Sequence, residues 1–249
     1  MAVIPPSPPL APSHKLIASA SEGDYRANRL FRHMAPDEIE ALAPRIEHLH
    51  YGKGELIIQR LDESRGIHLL LKGVLLANQY ARSGREVGYR RISAGNYFGE
   101  ISAIDGLPRS VNIVALEDVR LARLPQPLIQ SLFERSPHFM RAIMEDLASL
   151  TRSLTDRLFE LSAVSGACRV DIELLRMATS ASGDGQQATI HPCPTHAELA
   201  VLVGSQREAV TRELNRLASL KIVAQTGRTL RILDIPALAD EIERIGGEA

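Results

Sequence analysis

Cysteine is nearly missing from this chain: its 249 residues hold two, Cys168 and Cys193, and neither sits in a CxxC pair. That argues against a disulfide scaffold, a zinc ribbon and a cysteine-ligated iron–sulfur cluster. No apolar run approaches the roughly 18 residues of a membrane span. The opening MAVIPPSPPLAPSHK lacks a basic n-region and a long apolar stretch, so no secretory signal is expected and the chain reads as cytoplasmic, with no membrane partner. An excess of one charge is missing too, with 29 basic against 30 acidic residues. A global basic footprint for nucleic acid is therefore lacking, and any DNA contact must rest on a local patch. What is there is ordinary: 45% apolar and 24% charged residues, a globular chain of between one and two domains that can bury a core without staples.

Residues 1–24 read as a disordered tail, since Pro5, Pro6, Pro8, Pro9 and Pro12 fall in its first half and little in it can pack. Ala35-Pro36-Asp37-Glu38 opens a short helix. From about residue 50, Val, Ile and Leu come in short runs, and Gly73, Gly84, Gly95 and Gly106 recur every 11 residues. Turn signals at that interval predict an antiparallel β barrel or sandwich over 25–134. Ile67, Leu69 and Leu71 share one strand face, whereas the alternation in Val119–Leu124 slips near its end. Pro125 closes the β region, and a short helix follows at Pro127–Phe133.

Ser136-Pro137 restarts the chain as N-cap and first helical residue. The helix then runs to about Ala163 without glycine or proline. Its apolar residues are Phe139, Ile143, Leu147, Leu150, Leu154, Leu158 and Leu161, in steps of 4, 4, 3, 4, 4 and 3. That near-heptad seam predicts a two-stranded coiled coil, hence a homodimer held by residues 135–164. The alternative is an amphipathic helix packed on its own domain.

Ser165-Gly166 breaks the chain, and 165–249 reads as a small, mainly helical domain. Ser180–Gln187 is a loop by composition. Thr195 with Glu198 three residues on forms a capping box, Gly204 makes a turn, and Ser205 can cap a second helix: a helix-turn-helix. Ile222-Val223 and Thr229–Leu233, joined by Gly227-Arg228, form a β-hairpin wing, and Pro236–Ile245 a last helix. On the second helix Glu208 and Arg212 are four apart and share a face, with Arg207 beside them. Such side chains at the start of a reading helix reach base edges: arginine reads guanine, and a carboxylate accepts from cytosine. A charged surface helix with an i,i+4 pair explains the same spacing.

The richest stretch is Tyr97-Phe98-Gly99-Glu100-Ile101-Ser102, continuing to Leu107-Pro108-Arg109-Ser110-Val111. Gly99 allows close backbone approach. A helical turn at 100–105, starting with Glu100, Ile101 and Ser102, directs free N–H groups at an anion. Arg109 supplies a planar fork for phosphate oxygens, Ser110 a hydroxyl, and Glu100 an acceptor for a ribose hydroxyl. Together they describe a pocket for a phosphorylated sugar.

FGE followed by PRS, nine residues from Glu100 to Arg109, resembles the phosphate-binding cassette of cyclic-nucleotide-binding domains. The order Val203, Gly204, Arg207, Glu208, Val210, Arg212 resembles the V-G-x-x-R-E-x-V-x-R pattern of the catabolite activator and fumarate-nitrate regulator family. That resemblance runs nearly without gaps from the β region to the wing. It implies an α+β chain: an N-terminal β-roll, a long dimerisation helix and a C-terminal winged helix-turn-helix. It further implies a homodimer bound to double-stranded DNA, an allosteric cyclic nucleotide (cAMP or cGMP) and RNA polymerase as a further partner. Ser205, Gln206, Arg207, Glu208, Thr211, Arg212 and Arg228 fall at its DNA-binding positions, with a half-site like TGTGA. Gly99, Glu100, Ile101, Ser102, Arg109, Ser110 and Val111 fall at its cassette.

Three departures matter. Where the family's long helix carries threonine and then serine against the purine, this chain has Leu154 and Thr155. Thr155 keeps the hydroxyl that reaches across the dimer, and Thr151 or Ser153 can compensate for Leu154. At a β-roll position near the purine stands Arg90, which can pair with guanine O6 and N7 or simply face outward. Neither the N-terminal cysteine cluster of the redox members nor a haem-ligand pair around His68 is present, and His191 and His196 are poorly spaced for one metal. The chain shows no nucleophile elbow, P-loop, HExxH or paired carboxylates, so no enzyme is expected. Arg216, Lys221, Arg228 and Arg231 are candidates for DNA backbone contacts, with Arg216 and Lys221 read more readily as surface. An effector-independent DNA-binding protein, or one responding to c-di-GMP, is the alternative.

Overall fold

The computed structural model describes residues 15–16, 25–84, 86–180 and 185–246. It divides into two compact units, one running to Gln79 and again over Tyr89–Ala148, the other comprising Tyr80–Gly88 and Ser149 onward. The first contains β1 (Lys15–Leu16), α1 (Pro36–Glu40), β2 (Glu47–Tyr51), β3 (Leu56–Ile58), β4 (Ile67–Lys72), all but the last residue of β5 (Val74–Tyr80), β6 (Glu86–Ser93) from Tyr89 on, β7 (Tyr97–Phe98), α2 (Glu100–Asp105), β8 (Asn112–Ala115), β9 (Val119–Leu124), α3 (Gln126–Arg135) and the start of α4 (Pro137–Ala163). Its strands make a five-stranded sheet in the order β1-β2-β9-β4-β7 and a four-stranded sheet in the order β3-β8-β5-β6.

The four evenly spaced glycines all adopt positive φ, from 71° at Gly106 to 94° at Gly73, so each closes a turn that other residues enter only with strain. The period-2 reading of β4 and β9 is incomplete because both faces of these central strands are buried. Ile67, Leu69, Ala122 and Leu124 pack with Phe31, Leu128, Ile129, Phe139 and Ile143 on the helical side. Leu70, Val119 and Leu121 point the other way, into the space between the sheets, with Leu75, Phe98 and Ile113. The apparent slip in β9 is two buried faces meeting at Leu121-Ala122. Lys15–Leu16, inside the stretch read as a tail, pair antiparallel with His50 and Leu49; the rest of residues 1–24 lies outside the described ones.

The predicted seam on α4 divides. Phe139 and Ile143 belong to the core of the first unit, with Leu147 against it. The seam's later members Leu154, Leu158 and Leu161 are 47%, 69% and 50% exposed, as is Phe159, off the seam, at 65%. The second unit continues with α5 (Gly166–Ser180), β10 (Ala188–Ile190), α6 (His196–Val203), α7 (Arg207–Ser219), β11 (Val223–Thr226), β12 (Thr229–Ile232) and α8 (Ile235–Gly246). The wing, expected as a two-stranded hairpin, is a three-stranded sheet, β10-β12-β11, because Ala188 and Ile190, directly after the Ser180–Gln187 loop, add a buried edge. Residues 181–184 of that loop lie outside the described ones. Among the described residues no helix is long and apolar enough to cross a membrane.

Candidate functional site

The cassette is built around Arg109. Gly99, at φ 93°, precedes α2, and a Cβ there would lie 2.5 Å from Arg109 Nη1 and 2.7 Å from Gly66 O. Glycine is therefore required by close approach as well as by conformation. Arg109 is 2% exposed. Its Nη1 donates to Gly99 O at 2.9 Å, its Nη2 to Gly66 O at 2.7 Å and its Nε to Ser64 Oγ at 3.2 Å. Its own backbone is tied to Asp62 and Leu61. Three of its five N–H groups thus serve neutral acceptors, and among the described residues no carboxylate comes within salt-bridge distance. Burial lowers its pKa, opposed by the nearby charges of Asp62 and Glu100.

Glu100 is buried, and burial pushes its carboxyl above the usual range, with Arg90 and Arg109 acting against the shift. Ser102 is buried beside it, whereas Ile101 and Ser110 are exposed and Val111 packs on the inter-sheet core. Arg90 is half-buried and reaches Tyr97 O at 3.4 Å, so it lies against β7 rather than pointing away. The structure therefore gathers Gly99, Glu100, Ser102, Arg109 and Arg90 in one place. Thr151 and Thr155 lie on an exposed stretch of α4 that belongs to the second unit, where Thr155 Oγ1 donates to Thr151 O at 3.0 Å.

Two partners of Arg109 carry no signal in the sequence. The loop residues Ser64, through its hydroxyl, and Gly66, through its carbonyl, accept from the Arg109 guanidinium, yet in the sequence they are only a serine and a glycine between strands. His68 is buried and stacked on Phe98 with ring centroids 5.0 Å apart. Burial, with Arg109 and Arg123 nearby, drives its pKa down to about 3, so the ring is neutral near pH 7.

In the second unit Thr195 Oγ1 accepts from Glu198 N at 3.2 Å, and Glu198 Oε2 accepts from Thr195 N at 2.8 Å. The capping box is complete. Gly204, at φ 63°, ends α6. The cap of α7 is Gln206, without a side-chain cap bond, which corrects the role expected of Ser205: its backbone N–H is drawn back to Ala200 O at 2.9 Å, one residue too early. Val210, Leu214 and Leu217 anchor α7 in the core, leaving Gln206, Arg207, Glu208 and Arg212 exposed and Thr211 half-exposed. Thr211 Oγ1 donates to Arg207 O, so the 2.8 Å contact from His196 has Nδ1 as donor. Arg228 is exposed at the wing turn.

Arg216, a candidate backbone contact read more readily as surface, is half-buried and held by three acids. It donates to Glu213 Oε1 at 2.7 Å, to Asp171 Oδ2 at 3.2 Å and to Glu241 Oε2. Asp171 has no exposure and Glu213 is 6% exposed. The three acids come from α5, α7 and α8, so this cluster binds the helices together. Burial first, then the charge of Glu213, raises the Asp171 carboxyl to about 8.

Comparison with known proteins agrees with both halves. Residues 48–136 match the family model of the cyclic nucleotide-binding domain and residues 169–241 that of the Crp-like helix-turn-helix domain. The cyclic AMP receptor protein of Thermus thermophilus is 28% identical over 217 residues, covering 87% of this chain and 97% of that protein. Among solved structures, a CooA variant from Carboxydothermus hydrogenoformans is 18% identical with a TM-score of 0.73, covering 86% of this chain and 95% of that chain. The c-di-GMP responsive global regulator CLP of Xanthomonas campestris is 20% identical with a TM-score of 0.66, covering 80% of this chain and 99% of that chain. With a cyclic nucleotide-binding domain, a long helix and a Crp-like helix-turn-helix in that order, the chain belongs to the catabolite activator protein and fumarate-nitrate regulator family of bacterial transcription factors.

Proposed function

We propose that this regulator is a cytoplasmic homodimer whose affinity for DNA is set by cAMP or cGMP. The observation that carries the effector is Arg109: a buried guanidinium whose hydrogen-bond partners are two carbonyls and a hydroxyl. A buried charge without a counter-charge is costly. A phosphate diester with one negative charge supplies it, alongside the Gly99–Ser102 backbone and the Ser110 hydroxyl. Glu100 then accepts from the ribose 2′-hydroxyl, and Arg90 is the residue for guanine O6 and N7. The family resemblance assigns Thr151 and Thr155 to the purine. The exposed Leu154, Leu158, Phe159 and Leu161 fit a second copy of α4.

Arg207, Glu208 and Arg212 then read a TGTGA-like half-site, with Ser205, Gln206, Thr211 and Arg228 in support. The two-fold of the dimer calls for half-sites about one DNA turn, roughly 34–36 Å, apart. RNA polymerase is the downstream partner of such a regulator. The nucleotide acts through its difference in affinity for two states, so nucleotide and DNA strengthen each other reciprocally. Fluorescence anisotropy of a palindromic duplex with TGTGA half-sites tests this. Affinity should rise at least tenfold with one cyclic nucleotide. DNA binding indifferent to both would favour an effector-independent regulator. Leu154, in place of the family's hydroxyl, keeps a second ligand in play, and c-di-GMP belongs in the same titration.

A further inference from the structure

The end of α6 is closed from a distance. The last carbonyls of a helix have no partner within it and favour a positive charge nearby. Here two arginines from two other helices supply that charge. Arg157, on the part of α4 that belongs to the second unit, donates Nη2 to Leu202 O across 45 positions of sequence. Arg169, on α5, donates Nε to Val203 O at 2.8 Å and Nη2 to Gly204 O at 3.3 Å. Its Nη1 turns back to Val164 O, just beyond α4, at 2.6 Å.

Other contacts hold the same joint. Glu160 of α4 pairs with Arg176 of α5 at 2.6 Å. A Cβ at Gly204 would lie 3.0 Å from Leu161 Cδ2, so the turn of the helix-turn-helix sits against α4 itself. Residues Gly204–Gln206 lead directly from α6 into α7, and α7 opens with Arg207 and Glu208. The end of α6 cannot rotate on α4 without parting Leu202 O from Arg157.

We propose that Arg157 is a positioning residue that sets the angle between the dimer helix and the reading helix, and through it the separation of the two reading helices. This rests on the dimeric, DNA-binding reading above. An ordinary cap for α6 would be local and indifferent to α4. Arg157 reaches the cap from the helix that joins the protomers, so the same bond that closes α6 fixes the half-site spacing.

The test uses the full-length protein with spin labels on Arg152→Cys and Asn215→Cys, both exposed positions; the native Cys168 and Cys193 are buried. Wild type at position 157 should give one narrow distance within the chain. Arg157→Met should broaden it with the thermal melt still cooperative, and Arg157→Lys should restore most of the narrowing. On DNA, wild type should prefer one half-site spacing over spacings one base pair shorter or longer. Arg157→Met should lose about tenfold of that preference, the size of one charge-assisted hydrogen bond, with affinity for a single half-site unchanged. An unaltered distance distribution in Arg157→Met overturns the proposal, as does a broadened one with spacing preference intact. If wild type binds no such DNA, the reading of its target fails, while the label distances still decide whether Arg157 holds the joint.

Discussion

A buried arginine and a half-buried one stand in opposite surroundings. Arg109 in the β-roll is held by neutral acceptors alone, whereas Arg216 in the reading helix is wrapped by Glu213, Asp171 and Glu241. Both are planar forks of equal charge. The first has no ion-pair partner among the described residues, with Asp62 and Glu100 acting on it only from further off, and the proposed phosphate would supply one. The second is answered within the protein and ties three helices into one body. Local charge balance, rather than residue type, separates the arginine proposed to meet a ligand from the one that ties helices together.

Arg216→Met should have the largest effect. It leaves Glu213 and Glu241 without their counter-charge beside the buried Asp171, and breaking such a pair costs up to about 3 kcal/mol at a partly exposed site. Thermal unfolding should register the loss in the helix-turn-helix unit while nucleotide affinity stays put; an unchanged melt would place Arg216 outside the scaffold. Arg109→Leu should do the opposite. It should weaken cyclic nucleotide binding by about 10- to 100-fold, as expected from one charged hydrogen bond of about 1.5–3 kcal/mol, with the melt of the helix-turn-helix unit unchanged. Full affinity in that variant would empty the cassette of its central residue.

Arg212→Ala, on the exposed face of α7, should cost about 1–3 kcal/mol on a TGTGA-like site and relax base preference there. A loss equal on all sequences would make Arg212 a phosphate contact instead. A further effect concerns pH. Asp171 holds its proton in the folded state up to about 8, whereas in the unfolded chain it releases it near 4. Between those values the folded state binds more protons, so this group's stabilising contribution is full below about pH 4 and is lost as pH rises towards 8. Glu213, Arg216 and Glu241 face it from α7 and α8. Asp171→Asn should flatten the fall in melting temperature across that window, and an unchanged slope would show that the proton resides elsewhere.

Much of the fold and part of the site were legible in the sequence, where one residue type meets one local demand. The evenly spaced glycines mark left-handed turns, Thr195 with Glu198 marks a helix start, and FGE with PRS marks the cassette. Legibility failed wherever the deciding partner is remote. His68 and Leu70 look like solvent-facing alternates until the second sheet covers them. Phe139 and Ile143 fit a coiled-coil seam, yet they fill their own unit's core. The pairing of β10 depends on β12 some 40 residues on. Arg216 looked like surface because the acids that surround it come from α5 and α8 as well as its own helix. Arg157 carried no motif at all, since a carbonyl acceptor leaves no mark on the sequence.

The most direct measurement is calorimetric titration of the purified protein with cAMP and, in parallel, cGMP. Saturable binding of at least one, with one site per chain, is the predicted result, and a preference for cGMP would give Arg90 the base. No heat from either nucleotide would contradict the reading of Arg109 as a cyclic nucleotide receptor and leave the β-roll with another ligand or none.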